Sequence, residues 1–246
     1  MEVKNLDNNH NCIICNTVIQ KWISDCLLCT NCFHITSKKN TINQLVPDFS
    51  ISNLNLMSFQ NKTIKIIDLN FNNSQILDNF EDFFNNKKVN TLTVGITPSS
   101  FTNMEFKDHR IINKMLNRDT CLELQGLYSN FDIIIYNNIQ NHNNPHAILD
   151  YCKSISNKDS FIYLTTNKNI TSLSNFSTNS MNQLCNRNNL ILNNIYINQD
   201  GNRIYEIVYN RTQNSNVINI LYNEMINNYY EEQLYYSVYL HWLCYN

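Results

Sequence analysis

Five of the nine cysteines in this chain of 246 residues lie between positions 12 and 32, and the stretch that begins at Cys12 reads CIICNTVIQKWISDCLLCTNCFHI. Two C-x-x-C pairs, Cys12/Cys15 and Cys29/Cys32, can bring four thiolates together. Four thiolates are the ligand set of a closed tetrahedral zinc site, which has no open position for a substrate or a catalytic water. The spacing therefore predicts a structural zinc ion that folds a small N-terminal zinc ribbon.

This ligand set has alternatives. Cys26 also forms a C-x-x-C pair with Cys29, so the spacing alone does not exclude Cys26 as a ligand. We prefer the Cys29/Cys32 pair, because CTNCFHI has the form of a zinc knuckle, a polar turn followed by an apolar strand. His10 and His34 are weaker substitutes, and the remaining alternative is a group of buried or free thiols without a metal.

The composition disfavours several classes of protein. A formal net charge of -2 gives no general attraction to nucleic acid or to an anionic membrane, and few basic residues flank the cysteines. No apolar run has membrane-spanning length and MEVKNLDNNHNC does not resemble a signal peptide, so we predict a cytoplasmic protein with reduced thiols. The abundance of Asn is typical of AT-rich coding, as in some protist parasites or giant DNA viruses. A single Asn therefore carries little information.

From Thr63 onward, short apolar stretches alternate with helical patterns, which predicts an α/β sheet. The predicted strands are Ile64–Leu69, Thr91–Ile96, Asp132–Tyr136 and Phe161–Thr165, and the predicted helices are Gln75–Phe84, Asn103–Leu116, His146–Ser156 and Thr178–Asn188. Two further predicted strands follow each other directly, and the Asp-Gly pair between them predicts a hairpin turn; they are Leu190–Asn198 and Arg203–Tyr209.

We predict three segments along the chain. Residues 1–58 form the zinc module and a connector, residues 59–212 form the α/β domain, and residues 213–246 form a helix rich in Tyr. The tyrosines and Trp242 of this last segment exceed what one amphipathic face needs. Packing against the sheet is one explanation. We favour the other, an aromatic surface for a protein partner or for a second copy of the chain.

The stretch FDIIIYNNIQNHNNPHAILDYCKSISNKDSFIYLTT resembles the fourth strand, the following helix and the fifth strand of class I S-adenosylmethionine-dependent methyltransferases. The sheet of that family is Rossmann-like and ends in an antiparallel hairpin, like the one predicted here. Asn137, Asn138 and His142 resemble an N-N-x-x-x-H form of one subgroup, the nucleotide-sugar C-methyltransferases, which also begin with a four-Cys zinc module. The similarity runs in the same order over residues 10–230.

This resemblance implies a site for S-adenosylmethionine. The subgroup has an acidic residue and an S-N-D-G core after its first strand, and a G-I-E-P motif at the end of its second strand. The corresponding residues here are Asp68, then Phe71 to Ser74, then Gly95 to Pro98. Asp68 either contacts the cofactor or caps the following helix. The implied cofactor-binding residues are Asp68, Asn72, Asn73, Ser74, Thr97, Asn137 and His142.

The chain departs from the subgroup at three positions of the implied site. Thr97 replaces the acidic residue that accepts hydrogen bonds from the ribose, and a neutral hydroxyl makes only part of that contact. Ser74 replaces a glycine, so we expect backbone strain there or a cofactor displaced outward. The stretch TSLSNFS places Ser172 where the subgroup has its histidine base, and no catalytic residue is assigned.

Two functions from different classes follow. The first is a methyltransferase that acts on a sugar, a nucleotide sugar or another small acceptor, with transfer to oxygen or nitrogen favoured because the expected base is missing. The second is a catalytically inactive methyltransferase-like scaffold with a structural zinc, which serves as a protein-interaction subunit.

Overall fold

The computed structural model describes residues 10–19, 21–23, 26–37, 63–72, 74–98, 109–167, 174–197 and 202–209. The predicted aromatic helix of residues 213–246 lies outside these ranges, as do Asn73, Ser172 and most of the predicted connector.

The N-terminal part consists of short antiparallel strands, which the chain forms before and after each cysteine pair. The first two pair with each other around the first C-x-x-C, and the next three pair in sequence order. These strands are β1 (His10–Asn11), β2 (Val18–Ile19), β3 (Lys21–Ile23), β4 (Cys26–Leu28) and β5 (Ile35–Ser37).

The rest of the described chain alternates between strands and helices. Its elements are β6 (Ile64–Asp68), α1 (Gln75–Asn86), β7 (Thr91–Thr97), β8 (Arg110–Asn113), α2 (Arg118–Tyr128), β9 (Phe131–Tyr136), α3 (Pro145–Ser154), β10 (Ser156–Thr166), β11 (Ser174–Asn175), α4 (Thr178–Arg187), β12 (Leu190–Ile197) and β13 (Arg203–Tyr209). A 3-10 turn, Ile139–Asn141, lies between β9 and α3.

Seven of these strands form one sheet in the order β12-β13-β10-β9-β6-β7-β8. The five strands from β10 to β8 are parallel, and β13 is antiparallel to both of its neighbours. The α/β sheet with a C-terminal antiparallel hairpin, predicted from the sequence, is therefore confirmed. The chain moves outward from β6 through β7 to β8 and then returns to β9 on the other side of β6. The strand order thus reverses between β6 and β9.

Apolar side chains cover both faces of the parallel strands, as expected where helices pack on both sides. On one face, α1 buries Ile76, Leu77, Phe80 and Phe84. On the other face, α2, α3 and α4 bury Leu124, Leu149 and Leu184 together with their neighbours. Among the described residues, no helix is long and apolar enough to cross a membrane.

The N-terminal strands share their sheet and core with the α/β part. Strand β11, from late in the chain, pairs antiparallel with β5 and completes a four-stranded sheet in the order β11-β5-β4-β3. Ile14 and Ile19 are buried in the same apolar cluster as the α2–α4 face of the large sheet. The small segment therefore obtains part of its core from the larger one.

The predicted helix Asn103–Leu116 is wrong in its described part. Residues Arg110–Asn113 form the edge strand β8, and the helix begins only at Arg118. Asn117 sets this start, because its side chain accepts a hydrogen bond from the Thr120 amide and satisfies one of the free N–H groups of the first turn. Met115, within the range of the predicted helix, is 71% exposed.

Gly95 of β7 leaves the space that Phe71 fills. A Cβ atom on Gly95 would lie 2.7 Å from two ring carbons of Phe71 and 2.9 Å from Cδ1 of Ile111. Phe71 is fully buried, and its backbone N–H donates to the carbonyl of Ile96 at 2.8 Å. The close approach of the loop after β6 to β7 thus depends on a glycine in the strand.

We expect Gly95→Ala to lower the free energy of unfolding by about 1–3 kcal/mol, because the added methyl overpacks the Phe71 and Ile111 contacts. Gly126→Ala is the matched control. Gly126 is an exposed residue of α2 with no atom within 4 Å of an added Cβ, so we expect a gain of about 0.5–1 kcal/mol. Urea unfolding measures both values, and equal effects of the two substitutions would contradict the packing described.

Candidate functional site

Two polar side chains meet where the strand order of the large sheet reverses. Asp68 is the last residue of β6, and Asn137 follows the last residue of the neighbouring strand β9. The Asn137 Nδ2 donates a hydrogen bond to Oδ2 of Asp68 at 2.8 Å. In open α/β sheets, ligands bind in the crevice outside the carboxyl ends of the strands at such a reversal. The Asp68–Asn137 pair therefore marks the candidate site.

A closed set of hydrogen bonds extends this pair to the next loop and the next strand. The backbone N–H of Asn70 donates to Oδ1 of Asp68 at 3.0 Å, and Asn70 Nδ2 donates to the Asn137 carbonyl at 2.7 Å. Thr165 of β10 donates to Oδ1 of Asn137 at 3.3 Å and accepts from the N–H of Asn138 at 3.0 Å. The carboxyl ends of β6, β9 and β10 are thereby joined.

The carboxyl group of Asp68 is almost fully buried among neutral groups. Burial raises the pKa of Asp68 from its ordinary value of 3.8 to about 7, against the opposing effect of the hydrogen bonds from Asn70 and Asn137. The site thus contains a carboxyl group that takes up or releases a proton near neutral pH.

The loop after β6 folds without a glycine. The hydrogen bond from Asn70 N–H to Asp68 Oδ1 closes an Asx turn, which takes the place of a backbone turn. Ser74 has φ -78° and ψ -17°, a right-handed helical conformation. The strain expected for Ser in place of Gly is therefore absent at Ser74. Ser74 occupies the cap position of α1, and the Asp68 carboxyl group accepts from Asn70 and Asn137 instead of capping that helix.

The other residues implied by the family resemblance lie around this edge in different environments. Thr97 ends β7, two residues beyond the Gly95 that pairs with Asp68, and it is buried. Asn72 and Ser74 are half-buried between β6 and α1, and Asn73 lies outside the described residues.

The His142 ring makes a hydrogen bond within its own loop. The Asn144 N–H donates to His142 Nδ1 at 3.0 Å, and the ring stands edge-on to Tyr136 with centroids 6.1 Å apart. Burial lowers the pKa of His142, which favours the neutral imidazole. The structure thus brings Asp68 and Asn137 into direct contact. Thr97 lies at the end of β7, which is the neighbour of β6, and His142 contacts Asn144 and Tyr136.

Sequence reasoning missed Asn70 and Thr165. A signal for Asn70 was present, because its position two residues after an Asp is the spacing of an Asx turn. Thr165 gave no signal, since a Thr at the end of an apolar strand has many ordinary explanations. Its role depends on β10 lying beside β9, which is a property of the sheet order.

The four cysteines of the predicted metal site are buried together. The Sγ atoms of Cys12 and Cys32 are 3.6 Å apart, those of Cys15 and Cys29 are 3.4 Å apart, and all four lie within 4.8 Å of one another. Four sulfurs at about 2.3 Å from a central zinc ion are separated by about 3.8 Å, the edge of the tetrahedron. The cluster is therefore compatible with a zinc ion.

The two knuckles have the same backbone. In the first, the N–H of Asn16 donates to the Cys12 carbonyl at 2.8 Å, and in the second the N–H of Phe33 donates to the Cys29 carbonyl at 2.8 Å. The residue after the second cysteine has a positive φ in both, 57° at Asn16 and 58° at Phe33. Cys29/Cys32 thus forms the second knuckle, and Cys26 begins β4.

Among the alternative ligands, His10 is exposed on β1, and the buried ring of His34 lies 5.0 Å from that of Phe176. Within the cluster, the pKa of the Cys12 thiol is lowered to about 5, mainly because Cys32 donates a hydrogen bond to its sulfur. The same contact raises the pKa of Cys32. A divalent cation would allow all four sulfurs to be thiolates.

A second group of ligating side chains lies between α1 and the edge of the sheet. His109 Nε2 is 2.8 Å from Oδ1 of Asp78, and Nδ1 is 2.7 Å from the hydroxyl of Thr93 and 3.8 Å from Oε2 of Glu81. Each ring nitrogen of this buried histidine already has a protein partner, so the group links α1 to β7 as a structural contact.

No protein-family model and no curated protein matches the chain. Solved structures similar to it include CalO1, a methyltransferase of calicheamicin biosynthesis in its SAH-bound form, with 8% identity and a TM-score of 0.46 over 60% of this chain and 49% of that one. The plantazolicin methyltransferase BpumL in complex with SAH has 12% identity and a TM-score of 0.47 over 63% and 79% of the two chains. A protein from Listeria monocytogenes that is assigned to the class I S-adenosylmethionine-dependent methyltransferases has 9% identity and a TM-score of 0.42 over 63% and 56% of the two chains.

This chain thus spans about half the length of CalO1. The similarity to these three proteins concerns the arrangement of the backbone alone. It carries no conclusion about the activity of this chain.

We expect the stability of the wild-type protein to fall relative to Asp68→Asn as the pH rises. Because the folded state raises the pKa of Asp68 from 3.8 to about 7, the folded protein binds this proton more tightly than the unfolded chain. The contribution of this proton to the free energy of unfolding is fully present below about pH 4 and is lost as the pH rises through about 7. The change amounts to about 4 kcal/mol.

Urea unfolding of both proteins between about pH 4 and 8 measures this difference. A difference in unfolding free energy that is the same at every pH reports the altered hydrogen bonds to Asn70 and Asn137. The part of the difference that changes with pH reports the titration of Asp68. A difference that does not vary with pH would contradict the raised pKa.

Proposed function

We propose that this chain is an S-adenosylmethionine-dependent methyltransferase-like protein, with the cofactor in the crevice at the carboxyl ends of β6 and β9. The observation that supports it is the buried Asp68–Asn137 pair at the strand reversal of a sheet that ends in an antiparallel hairpin. The acceptor that we propose is a sugar or a nucleotide sugar, on the basis of the motif resemblance.

The residues at this edge fit a polar cofactor. Carboxylate, amide and hydroxyl oxygens accept hydrogen bonds from an ammonium group or from ribose hydroxyls. Asp68 is the acidic acceptor on β6, the Thr97 hydroxyl offers a weaker one on β7, and Asn72 and Ser74 precede the N-terminus of α1. The N-terminal turn of α1, with its partial positive charge, favours negatively charged groups.

S-adenosylmethionine supplies an electrophilic methyl group. Transfer to an oxygen or nitrogen acceptor depends mostly on alignment, which a rigid crevice provides by holding the reactants in one geometry. The hydrogen bonds that join β6, β9 and β10 make this edge rigid. Transfer to carbon needs a base, and Ser172 stands at the position where the resembling subgroup has one.

We further propose that the four-Cys cluster binds a structural zinc ion. The sulfur separations are compatible with a tetrahedral thiolate site, the four side chains are buried, and four protein ligands leave no open position. Association with a protein partner or a second copy through residues 213–246 is also a proposal. It rests on the aromatic content of that segment.

Titration calorimetry with S-adenosylmethionine and S-adenosylhomocysteine tests the cofactor proposal. We expect dissociation constants on the order of micromolar for the wild-type protein. Asn72→Ala should weaken binding about tenfold, since it removes one proposed hydrogen bond. Asn113→Ala, an exposed position on β8, should leave binding unchanged. No heat at millimolar ligand would sink the enzyme proposal and favour the inactive scaffold.

Elemental analysis of protein purified without chelators tests the metal. We expect about one zinc per chain, and a marked loss of zinc in Cys15→Ser, which lacks one of the four ligands. Cys121→Ser is the control, because this buried cysteine of α2 lies outside the cluster and the variant should retain its zinc. Wild-type protein without zinc would refute the assignment.

A further inference from the structure

A single helix of the α/β part contacts both zinc knuckles. Ser177, the residue that caps the N-terminus of α4, donates from its hydroxyl to the Cys32 carbonyl at 2.9 Å. Arg187, the last residue of α4, donates from its guanidinium to the Cys15 carbonyl. Helix α4 therefore holds one knuckle at each of its ends.

Additional donors strengthen both contacts. Near the first knuckle, His146 Nε2 donates to the Ile14 carbonyl at 3.1 Å, which places the ring proton on Nε2 because a carbonyl only accepts. The other ring nitrogen then accepts from Asn188 Nδ2 at 2.9 Å, and the same amide donates to the Leu184 carbonyl at 2.7 Å. Near the second knuckle, Asn179 Nδ2 donates to the Asn31 carbonyl at 3.2 Å.

The charges at these contacts are complementary to a metal-loaded cluster. Four thiolates around one Zn²⁺ carry a net charge of about -2 in a buried site. The N-terminus of α4, with its partial positive charge, lies at the second knuckle, and the guanidinium of Arg187 lies at the first. The hydrogen bonds also withdraw electron density from the knuckle carbonyls and fix their orientation.

We propose that α4 acts as a brace that sets the separation of the two knuckles, with Ser177 and Arg187 as positioning residues for the metal. This proposal rests on the zinc site proposed above. Since α4 holds both knuckles in the arrangement that one metal ion requires, it raises the metal affinity of the cluster. By linkage, bound metal holds α4 against the N-terminal strands.

Competition with a chromophoric zinc chelator at constant pH tests the brace. We expect Ser177→Ala and Arg187→Gln each to weaken zinc binding by about ten- to a hundredfold, the range found for outer contacts of metal sites. Arg187→Lys keeps a charged donor and should recover part of the loss. Zinc affinities of Ser177→Ala and Arg187→Gln equal to that of the wild type would overturn the proposal.

Asn117→Ala is the matched control for Ser177→Ala. Asn117 caps α2 through the Thr120 amide at 2.9 Å, so its substitution removes a helix cap without removing a bond to a knuckle. We expect the zinc affinity of this variant to stay within about twofold of the wild-type value, because the outer contacts of the metal remain. An equal loss in both cap variants would show that general helix stability governs the affinity, and would also overturn the proposal.

Hydrogen exchange of the wild-type protein gives a second readout that does not depend on the folding of any variant. We expect removal of zinc by a chelator to increase exchange at the amides of α4 more than at those of α2. Equal exchange changes in the two helices would contradict the brace. If the elemental analysis finds no zinc in the wild-type protein, the zinc-site proposal itself is refuted. This outcome is therefore distinguishable from a failure of the brace alone.

Discussion

The hydrogen bond between Asn137 and Asp68 joins the two strands at which the order of the sheet reverses. A reversal leaves a crevice, because the loops after the two strands lead away from each other. Here Asp68 and Asn137 are both buried, and they are tied to Asn70 on one side and to Thr165 on the other. The stability of this sheet edge therefore depends on a small set of polar side chains. A substitution of Asp68 or Asn137 leaves a buried polar partner without its hydrogen bond and so destabilises the fold.

Scarcity of glycine shapes how these loops fold. The chain has three glycines in 246 residues, so positive φ angles are adopted by other residue types. Among the described residues, Asn16, Asn138 and Asn189 have φ of 57° and serve this purpose, as Asn tolerates the left-handed region better than most residues. Asn16 closes the first cysteine knuckle and Asn138 follows β9. A single Asn carries little information in a sequence so rich in Asn, but the Asn residues at these positions have a structural role.

Much of the large sheet could be predicted from the sequence, because strands such as β6 and β9 are apolar on both faces and the hairpin of β12 and β13 is local. The edge strand β8 could not, since Ile111 and Ile112 fit a helical period equally well and the cap at Asn117 decides the start of the helix. Within the candidate site, Asp68 and Asn137 were found through motif order. Their direct contact depends on two strands 69 residues apart in sequence, which spacing alone does not reveal.

The contacts of α4 with the knuckles also impose an order of events on the newly made chain. Ser177 lies 145 residues after Cys32, and Arg187 lies 172 residues after Cys15. At a synthesis rate of about 5–20 residues per second, the cysteines leave the ribosome on the order of ten seconds before the helix that holds them. During that interval the four thiols are open to oxidation or to a competing metal. The knuckles must therefore form without the α4 contacts at first, and under the zinc proposal a metal ion bound early would hold the four thiolates together in the meantime.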